Sequence, residues 1–215
     1  MIRFYSRRVL FLFSSVVSLS AGAQLSESLD YIELNPSQPT TDQNRIVVTE
    51  FFSYQCPHCF SLEPVLAAWV DDLADDVLFE RVPISIGYQE WAPVAQAFHA
   101  LQVMGELEVL HSTIFRAIHI NGARLYDREA IVEWVHGQGV DADEFSDVYD
   151  SFSVSATARR GDQRSLAHRV DSVPTLAIKG RYRVAIGDNG TVEYFEQQLA
   201  DVSELIDAIR AEEGL

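Results

Sequence analysis

The chain has 215 residues, 47% hydrophobic and 22% charged, a composition typical of a soluble globular protein with one large domain or two small ones. It excludes disordered, collagen-like and multi-span membrane proteins. The net charge of −16 comes from 32 acidic and 16 basic residues, and it argues against nucleic acid as a partner because a nucleic-acid binder needs a basic surface.

Residues 1–23 have the pattern of a cleavable signal peptide. Three arginines precede an apolar stretch over residues 9–19, and Ala21 and Ala23 supply the small side chains that a signal peptidase requires. We predict cleavage before Gln24 and export to a compartment where disulfides persist. The apolar stretch is too short to cross about 30 Å of hydrocarbon as a helix. The sequence leaves open whether export follows the ordinary unfolded route or the twin-arginine route.

Residues 31–86 predict strand, strand, helix and strand in that order. Residues 31–34 and 45–53 are extended candidates, and the second is β-branched and aromatic, which is typical of a central strand buried on both faces. Residues 77–86 are the third strand candidate. Between the second and third strands, apolar residues recur at helical spacing along one face: Leu62, Val65, Leu66, Trp69, Val70 and Leu73.

From about residue 88 to residue 170 the apolar residues keep a helical period. Asp127 is placed to cap a helix that ends at Gly137. Asp141 and Glu144 form a capping-box pattern, and the helical face expected after it is Phe145, Val148, Tyr149 and Phe152. We therefore expect an all-helical block here.

The last part of the chain returns to strands. Residues 175–178 and 181–186 flank Lys179 and Gly180, a two-residue hairpin signal. After a turn at residues 187–190, a closing helix is expected from Thr191, with an apolar face of Phe195, Leu199, Val202, Ile206 and Ile209. This order predicts an α/β sheet unit split by a helical insertion.

Chemistry is concentrated in Cys56, Pro57, His58 and Cys59, at the junction between the buried strand and the first helix. Two cysteines at this spacing can close a disulfide or supply half of a metal site. Tetrahedral zinc needs four ligands and no second cysteine pair exists, whereas covalent haem attachment needs a histidine where Phe60 stands. We therefore predict that the cysteine pair is redox-active and that the site uses neither a metal nor a cofactor.

Position on the helix predicts which sulfur reacts. Cys56 stands at the helix entrance, where unpaired backbone N–H groups and the helix dipole stabilise a thiolate. Pro57 suits the first helical position, and a protonated or hydrogen-bonding His58 would stabilise the same thiolate. Cys59 lies one turn further, facing the core. A stabilised thiolate is a good leaving group, so the residues indicate a disulfide donor.

Residues 51–59 resemble the active-site segment of the DsbA family of periplasmic thiol:disulfide oxidoreductases, a branch of the thioredoxin superfamily. Pro64 also matches the kinking proline of thioredoxin-like helices, and residues 173–175 match the family's cis-proline loop. The resemblance implies an α/β thioredoxin-like fold with an inserted all-helical domain. Residues 24–87 and 169–215 would form the thioredoxin-like domain, and residues 88–168 the helical insertion.

Roles follow from the same resemblance. Cys56 resembles the solvent-facing nucleophile and Cys59 the buried resolving cysteine. A cis Pro174 would place the Val173 backbone beside the disulfide, where an extended substrate pairs with it. The ordinary alternative is a trans proline in a turn.

Two carboxylates resemble the family's acidic residues near the buried cysteine. Glu50 and Glu63 are candidates for a proton relay, and Arg81 aligns with a basic residue of the neighbouring strand. The alternative for Glu63 is a solvated residue in the first turns of the helix. The remaining histidines show no ligand spacing, and we interpret them as surface or satisfied side chains: His99, His111, His119, His136 and His168.

The resemblance implies a monomeric periplasmic oxidase that donates its disulfide to unfolded exported polypeptides with free thiols. A DsbB-type membrane quinone reductase would reoxidise it. A disulfide isomerase or reductase is one alternative, although isomerases of this superfamily carry a dimerisation domain ahead of the thioredoxin-like unit and only residues 24–55 precede the motif. The other alternative is a non-enzymatic extracytoplasmic module that binds a metal or a peptide.

Overall fold

The computed structural model of the chain describes residues 30–214. The predicted signal peptide, residues 1–23, lies outside these residues. One sheet contains the strands β1 (Tyr31–Glu33), β2 (Ile46–Phe52), β3 (Val77–Pro83), β4 (Thr175–Ile178) and β5 (Tyr182–Ala185). The α-helices are α1 (Pro57–Asp71), α2 (Ala92–Met104), α3 (Leu107–His119), α4 (Arg128–Gly137), α5 (Ala142–Tyr149), α6 (Phe152–Ala167) and α7 (Val192–Glu213).

The strands run in the order β1-β5-β4-β2-β3, with β2 parallel to β3 and antiparallel to β4. All seven residues of β2 are buried, as the unbroken apolar run predicted. The register places Glu50 of β2 opposite Arg81 of β3. β3 ends at Pro83, earlier than predicted, because its partner β2 ends at Phe52 and leaves no further strand to pair with.

Helices α1 and α7 pack against one face of the sheet. Leu62 and Leu66 of α1 share a core with Ile46 and Val48 of β2 and with the apolar face of α7. Each such side chain, when fully buried, contributes about 1.5–3 kcal/mol to folding. Pro64 lies inside α1, as in thioredoxin-like helices.

Helices α2–α6 all fall between β3 and β4 in the chain, and they form a second core. This core also contains Phe52, Tyr54, Cys56 and Cys59. The cysteine motif therefore lies where the sheet unit meets the inserted helices. The fold is α/β and thioredoxin-like with a helical insertion, as predicted.

The capping patterns in the sequence predicted most of these helix starts correctly. The carboxylate of Asp127 accepts the backbone N–H of Ala130 at 2.9 Å, and that of Asp141 accepts the N–H of Glu144 at 2.8 Å. The placement of Phe152 on the face of α5 is wrong. Ser151 caps a new helix, α6, and Phe152 is its first residue, with 82% of its surface exposed.

The predicted hairpin joins β4 to β5. Lys179 and Gly180 have φ of 53° and 62°, and the N–H of Arg181 donates to the carbonyl of Ile178 at 3.0 Å. Both central residues therefore have the positive φ of a type I′ turn. A Cβ at residue 180 would overlap the Gln38 carbonyl, so this position requires glycine. Within residues 30–214, no helix has the length and apolar character needed to span a membrane.

Candidate active site

The cysteine motif forms the first turn of α1. Cys56 is the N-cap, with φ −86° and ψ 119°, and Pro57 is the first helical residue. Both cysteines are free thiols. The chain enters the turn through a hydrogen bond from the Cys56 N–H to the Ser53 carbonyl at 3.1 Å, and it continues into the helix through the bond from the Phe60 N–H to the Cys56 carbonyl.

Both cysteines are more enclosed than a solvent-facing nucleophile would be. Cys56 is 5% exposed and Cys59 1%. The Cys56 thiol donates to the Val173 carbonyl at 3.4 Å, and this loop covers the sulfur. The position of Cys59 towards the core agrees with the prediction, whereas the exposure expected of Cys56 is reduced by the Val173 loop.

The two thiols differ strongly in acidity. The pKa of Cys56 is lowered to about 6, first by a hydrogen bond from the Cys59 thiol and then, against the effect of burial, by the backbone N–H groups of Cys59 and His58 and the charge of His58. Burial, and then the neighbouring Cys56, raise the pKa of Cys59 well above its usual range. At neutral pH the reduced site therefore holds a Cys56 thiolate beside a Cys59 thiol.

His58 has a partner that the sequence analysis missed. Its Nδ1 lies 2.9 Å from Oδ2 of Asp188, which stands in the turn after β5. This hydrogen bond raises the pKa of His58 and favours the imidazolium beside Cys56. Asp188 is itself fixed, because its other oxygen accepts the Gly190 N–H at 2.6 Å. The turn at residues 187–190 was predicted, but no local sequence pattern indicates that this turn contacts the cysteine motif.

The loop before β4 faces Cys56. The Val173–Pro174 peptide bond is cis, as expected for this loop. Beyond it, the Thr175 hydroxyl donates to the Ser172 carbonyl at 2.8 Å, and the Pro174 carbonyl accepts the Ile186 N–H at 3.0 Å. These bonds tie the loop to β5 and hold the Val173 carbonyl against the reactive sulfur.

The expected carboxylates and the basic residue form a buried cluster. Arg81 Nε donates to Glu50 Oε2 at 3.1 Å, and Arg81 Nη2 donates to both Glu63 oxygens at 3.0 and 3.2 Å. Burial raises the pKa of Glu50 to about 8, although the Arg81 charge opposes this. The charge of Glu50 in turn contributes to the raised pKa of Cys59. Glu63 is 7% exposed, which overturns the alternative of a solvated side chain.

Two histidines of α3 adjoin the site, although no role was predicted for them. His111 Nδ1 lies 2.6 Å from the Tyr54 hydroxyl, and His111 Nε2 lies 3.3 Å from Glu63 Oε2. His119 Nε2 lies 2.8 Å from the Tyr54 carbonyl, and its ring stacks on Phe60. Their spacing of eight residues places both on one helix face, which is the one signal that could have linked them.

These features define a class. A thiolate-stabilising helix terminus holds one cysteine, the second lies buried one turn later, and a cis-proline loop presents a backbone carbonyl to the first. On a thioredoxin-like sheet, this arrangement is that of a thiol:disulfide oxidoreductase.

The family profile of the DSBA-like thioredoxin domain matches residues 73–200, and the thiol:disulfide interchange protein DsbA of Bordetella parapertussis is 38% identical over 159 residues, 74% of this chain and 75% of that protein. The chain belongs to the DsbA family. DsbA of Pseudomonas syringae pv. tomato is 35% identical over 195 residues, 91% of this chain and 89% of that protein.

Solved structures agree with this assignment. The crystal structure of Pseudomonas aeruginosa DsbA has a TM-score of 0.80 and 33% identity, covering 87% of this chain and 95% of that one. The oxidoreductase DsbA of Xylella fastidiosa has a TM-score of 0.76 and 31% identity, covering 85% and 96%. The likeness therefore extends over both the sheet unit and the inserted helices.

Proposed function

We propose that this thiol:disulfide oxidoreductase uses Cys56 as the nucleophile and Cys59 as the resolving cysteine, and that it donates their disulfide to exported polypeptides. The observation that carries the proposal is the contrast between the two thiols: the pKa of Cys56 is lowered to about 6 and that of Cys59 is raised. Such a pair favours the reduced site, so its disulfide passes readily to other thiols.

The reaction then has two exchanges. A substrate thiolate attacks Cys56 Sγ, the bond between Cys56 and Cys59 breaks, and Cys59 leaves with the electron pair and takes up a proton. The second substrate thiolate attacks the substrate sulfur of the mixed disulfide, and Cys56 leaves as a thiolate. Two electrons pass from the substrate dithiol to the cysteine pair, and the substrate gains a disulfide.

The proton for Cys59 is supplied within the protein. Burial raises the pKa of Glu50 to about 8, so at neutral pH this carboxyl is mostly protonated. Glu50, Arg81 and Glu63 form the proposed relay, in which Glu50 donates to the departing Cys59 thiolate. In reoxidation the same carboxylate takes the proton back, so that Cys59 can attack.

Val173 and Pro174 bind the substrate chain. Neither the Cys56 thiolate nor the oxidised Cys56 has a proton to donate, so the Val173 carbonyl is free to accept a backbone N–H from an extended peptide. This contact aligns the substrate cysteine with Cys56, as strand addition does in other peptide sites. The 3.4 Å separation between Cys56 Sγ and that carbonyl supports this role.

The oxidase direction is favoured over isomerase or reductase activity because the thiolate is stabilised in the reduced state. We place the protein in the periplasm as a monomer, with unfolded exported polypeptides as substrates and a DsbB-type membrane protein as the reoxidant. The relatives are named thiol:disulfide interchange proteins, which supports disulfide exchange with protein substrates. Residues 88–168 form an inserted domain, and its helix α3 packs beside the cysteine pair.

The test is the redox equilibrium of the cysteine pair with glutathione, together with oxidation of a reduced two-cysteine peptide. We expect full transfer of the disulfide to the peptide and an equilibrium that favours the reduced protein. A pair as reducing as that of a cytosolic thioredoxin would contradict the oxidase direction. Stoichiometric metal with no disulfide exchange would support the binding-module alternative.

A further inference from the structure

A buried hydrogen bond orients the ring of His111. The Tyr54 hydroxyl lies 2.6 Å from His111 Nδ1, and the two residues are 1% and 7% exposed. Burial, and then the charge of Glu63, raise the pKa of Tyr54 well above its usual range, so the phenol keeps its proton. When the phenol donates this proton to Nδ1, the N–H of the imidazole is on Nε2.

His111 Nε2 is a buried atom without a hydrogen-bond partner among the described residues, and it lies next to Glu63. The distance from Nε2 to Glu63 Oε2 is 3.3 Å, and Arg81 Nη2 reaches both oxygens of the same carboxylate at 3.0 and 3.2 Å. Glu50 has one Arg81 contact, at 3.1 Å. Arg81 thus makes two hydrogen bonds to Glu63 and one to Glu50, and the unpaired His111 Nε2 is a further polar atom beside Glu63.

Glu63 also lies closer to solvent than Glu50 does. A cavity of about 1050 Å³ opens between α1, β3, α2, α3 and α6, and its lining includes Glu63, Arg81 and His111. Glu50 does not line this cavity and is 1% exposed. A charge on Glu63 would border this cavity, whereas a charge on Glu50 would be enclosed by protein.

We propose that His111, oriented by Tyr54, is a positioning residue that holds the negative charge of the carboxylate pair on Glu63 and so leaves the proton on Glu50. One guanidinium serves the two carboxylates, so a donor that favours one of them decides where the proton resides. The inference rests on the proposed relay and names which carboxyl of that relay carries the proton. The balance is simple: Glu50 gives a proton to the Cys59 thiolate and becomes a carboxylate, and it regains the proton on reoxidation.

Charged and titratable groups surround the carboxylate pair on several elements. β2 contributes Glu50, β3 Arg81, α1 Glu63 and the two cysteines, and α3 His111, with Tyr54 from the turn before α1. Across the cavity, α6 contributes Arg164, which is paired with Glu80, and Arg160, and α2 contributes His99. Among these, His111 is the group whose polar atoms lie between Tyr54 and Glu63.

The experiment reads the proton directly. In uniformly ¹³C-labelled oxidised protein, in which Glu50 has given no proton to Cys59, the carboxyl shifts of Glu50 and Glu63 are assigned and followed against pH. At pH 7 we expect a protonated carboxyl at Glu50. In His111→Leu the titration midpoint of Glu50 falls by about half to one unit, because the polar atom beside Glu63 is lost.

Three further variants provide a second test, a rescue and a control for the role of His111. Tyr54→Phe should lower the Glu50 midpoint by less, because His111 keeps its ring but loses the hydrogen bond that orients it, and it provides the test if His111→Leu does not fold. His111→Gln, which can place an N–H near Glu63, should restore the midpoint. His99→Leu is the matched control, since it removes another buried histidine that lines the same cavity, and it should leave both shifts unchanged.

Unchanged carboxyl shifts in both His111→Leu and Tyr54→Phe would overturn the inference, as would an equal effect of His99→Leu. The relay itself is tested separately by the single-turnover rate of Glu50→Gln. If that rate is unaltered while the proton resides on Glu50, the relay is wrong and the role of His111 stands. If Glu50→Gln is slow but His111→Leu leaves the shifts unchanged, the role of His111 is wrong and the relay stands.

Discussion

Asp188 Oδ2 lies 2.9 Å from Nδ1 of His58, so the exposed histidine of the cysteine motif is fixed by a carboxylate 130 residues further along the chain. The contact raises the pKa of His58 and favours its charged form. Of the groups that lower the pKa of Cys56, however, the charge of His58 comes after the Cys59 thiol and the backbone N–H groups. His58 therefore tunes a thiolate that the helix terminus and Cys59 already stabilise.

Replacing His58 should change the redox properties only moderately. We expect His58→Leu to raise the pKa of Cys56 by less than about one unit and to make the pair less oxidising by less than about 30 mV. Cys59→Ala, which removes the largest stabilising contact, should raise that pKa further. Thiolate absorbance against pH measures both variants. A larger effect of His58→Leu than of Cys59→Ala would contradict this ranking.

Asp188 should act on Cys56 through His58. In Asp188→Asn we expect the pKa of His58 to return towards its ordinary value, so that more of the imidazole is neutral at pH 7. The pKa of Cys56 should then rise, by no more than in His58→Leu. Histidine NMR titration and the glutathione equilibrium provide the two measurements. In a His58→Leu background, Asp188→Asn should have no further effect, and an additive change would show that Asp188 acts independently.

The distance along the chain between two interacting residues explains which contacts could be predicted from the sequence and which could not. Asp127 and Asp141 each cap a helix by accepting a backbone N–H three residues further along the chain, so the pattern that predicts these caps lies within one helical turn. The cysteine motif likewise specifies its own helix entrance. By contrast, the contact from Tyr54 to His111 crosses 57 residues, and its geometry is set by how α3 packs on the sheet unit. No local pattern encodes that packing, so the acidic cluster was anticipated by resemblance and its histidine was not.

The two cysteines should behave differently when replaced. Cys56→Ser removes the nucleophile and should abolish oxidation of a two-cysteine peptide. Cys59→Ser leaves Cys56 able to exchange but removes the resolving thiol, so mixed disulfides with substrates should accumulate. Mass spectrometry of proteins trapped on each variant in a periplasmic extract distinguishes the roles. Substrates trapped by Cys56→Ser and absent from Cys59→Ser would reverse the assignment.

The reduced protein should resist denaturant better than the oxidised protein. The pKa of Cys56 falls from 9.0 to about 6 on folding, so its thiolate contributes stability that is full above pH 9 and is lost as the pH falls through about 6. At pH 7 this amounts to about 1 kcal/mol. The advantage of the reduced form should therefore shrink between pH 7 and pH 5. Urea unfolding of both forms across this range provides the measurement, and a more stable oxidised form at pH 7 would contradict it.

Glu50 should destabilise the fold at high pH, because burial raises its pKa from 4.5 to about 8 on folding. Between these values the folded protein binds the extra proton, so the free energy of unfolding should fall as the pH rises from about 5 to 9. Glu50→Gln carries no charge and should match the wild type near pH 5 but be more stable near pH 9, by roughly 2–4 kcal/mol.

Glu80 is the matched control on the neighbouring strand. Burial opposes its ionisation, but hydrogen bonds from Arg164 and Thr49 lower its pKa overall, so its contribution has the opposite sign. Glu80→Gln should therefore destabilise the protein above pH 5, whereas Glu50→Gln stabilises it. Denaturant unfolding of the oxidised proteins, in which neither cysteine titrates, isolates the carboxylates. A stability difference for Glu50→Gln that does not vary with pH would show that Glu50 is already ionised in the folded protein, and Glu50 would then have no proton to give to Cys59.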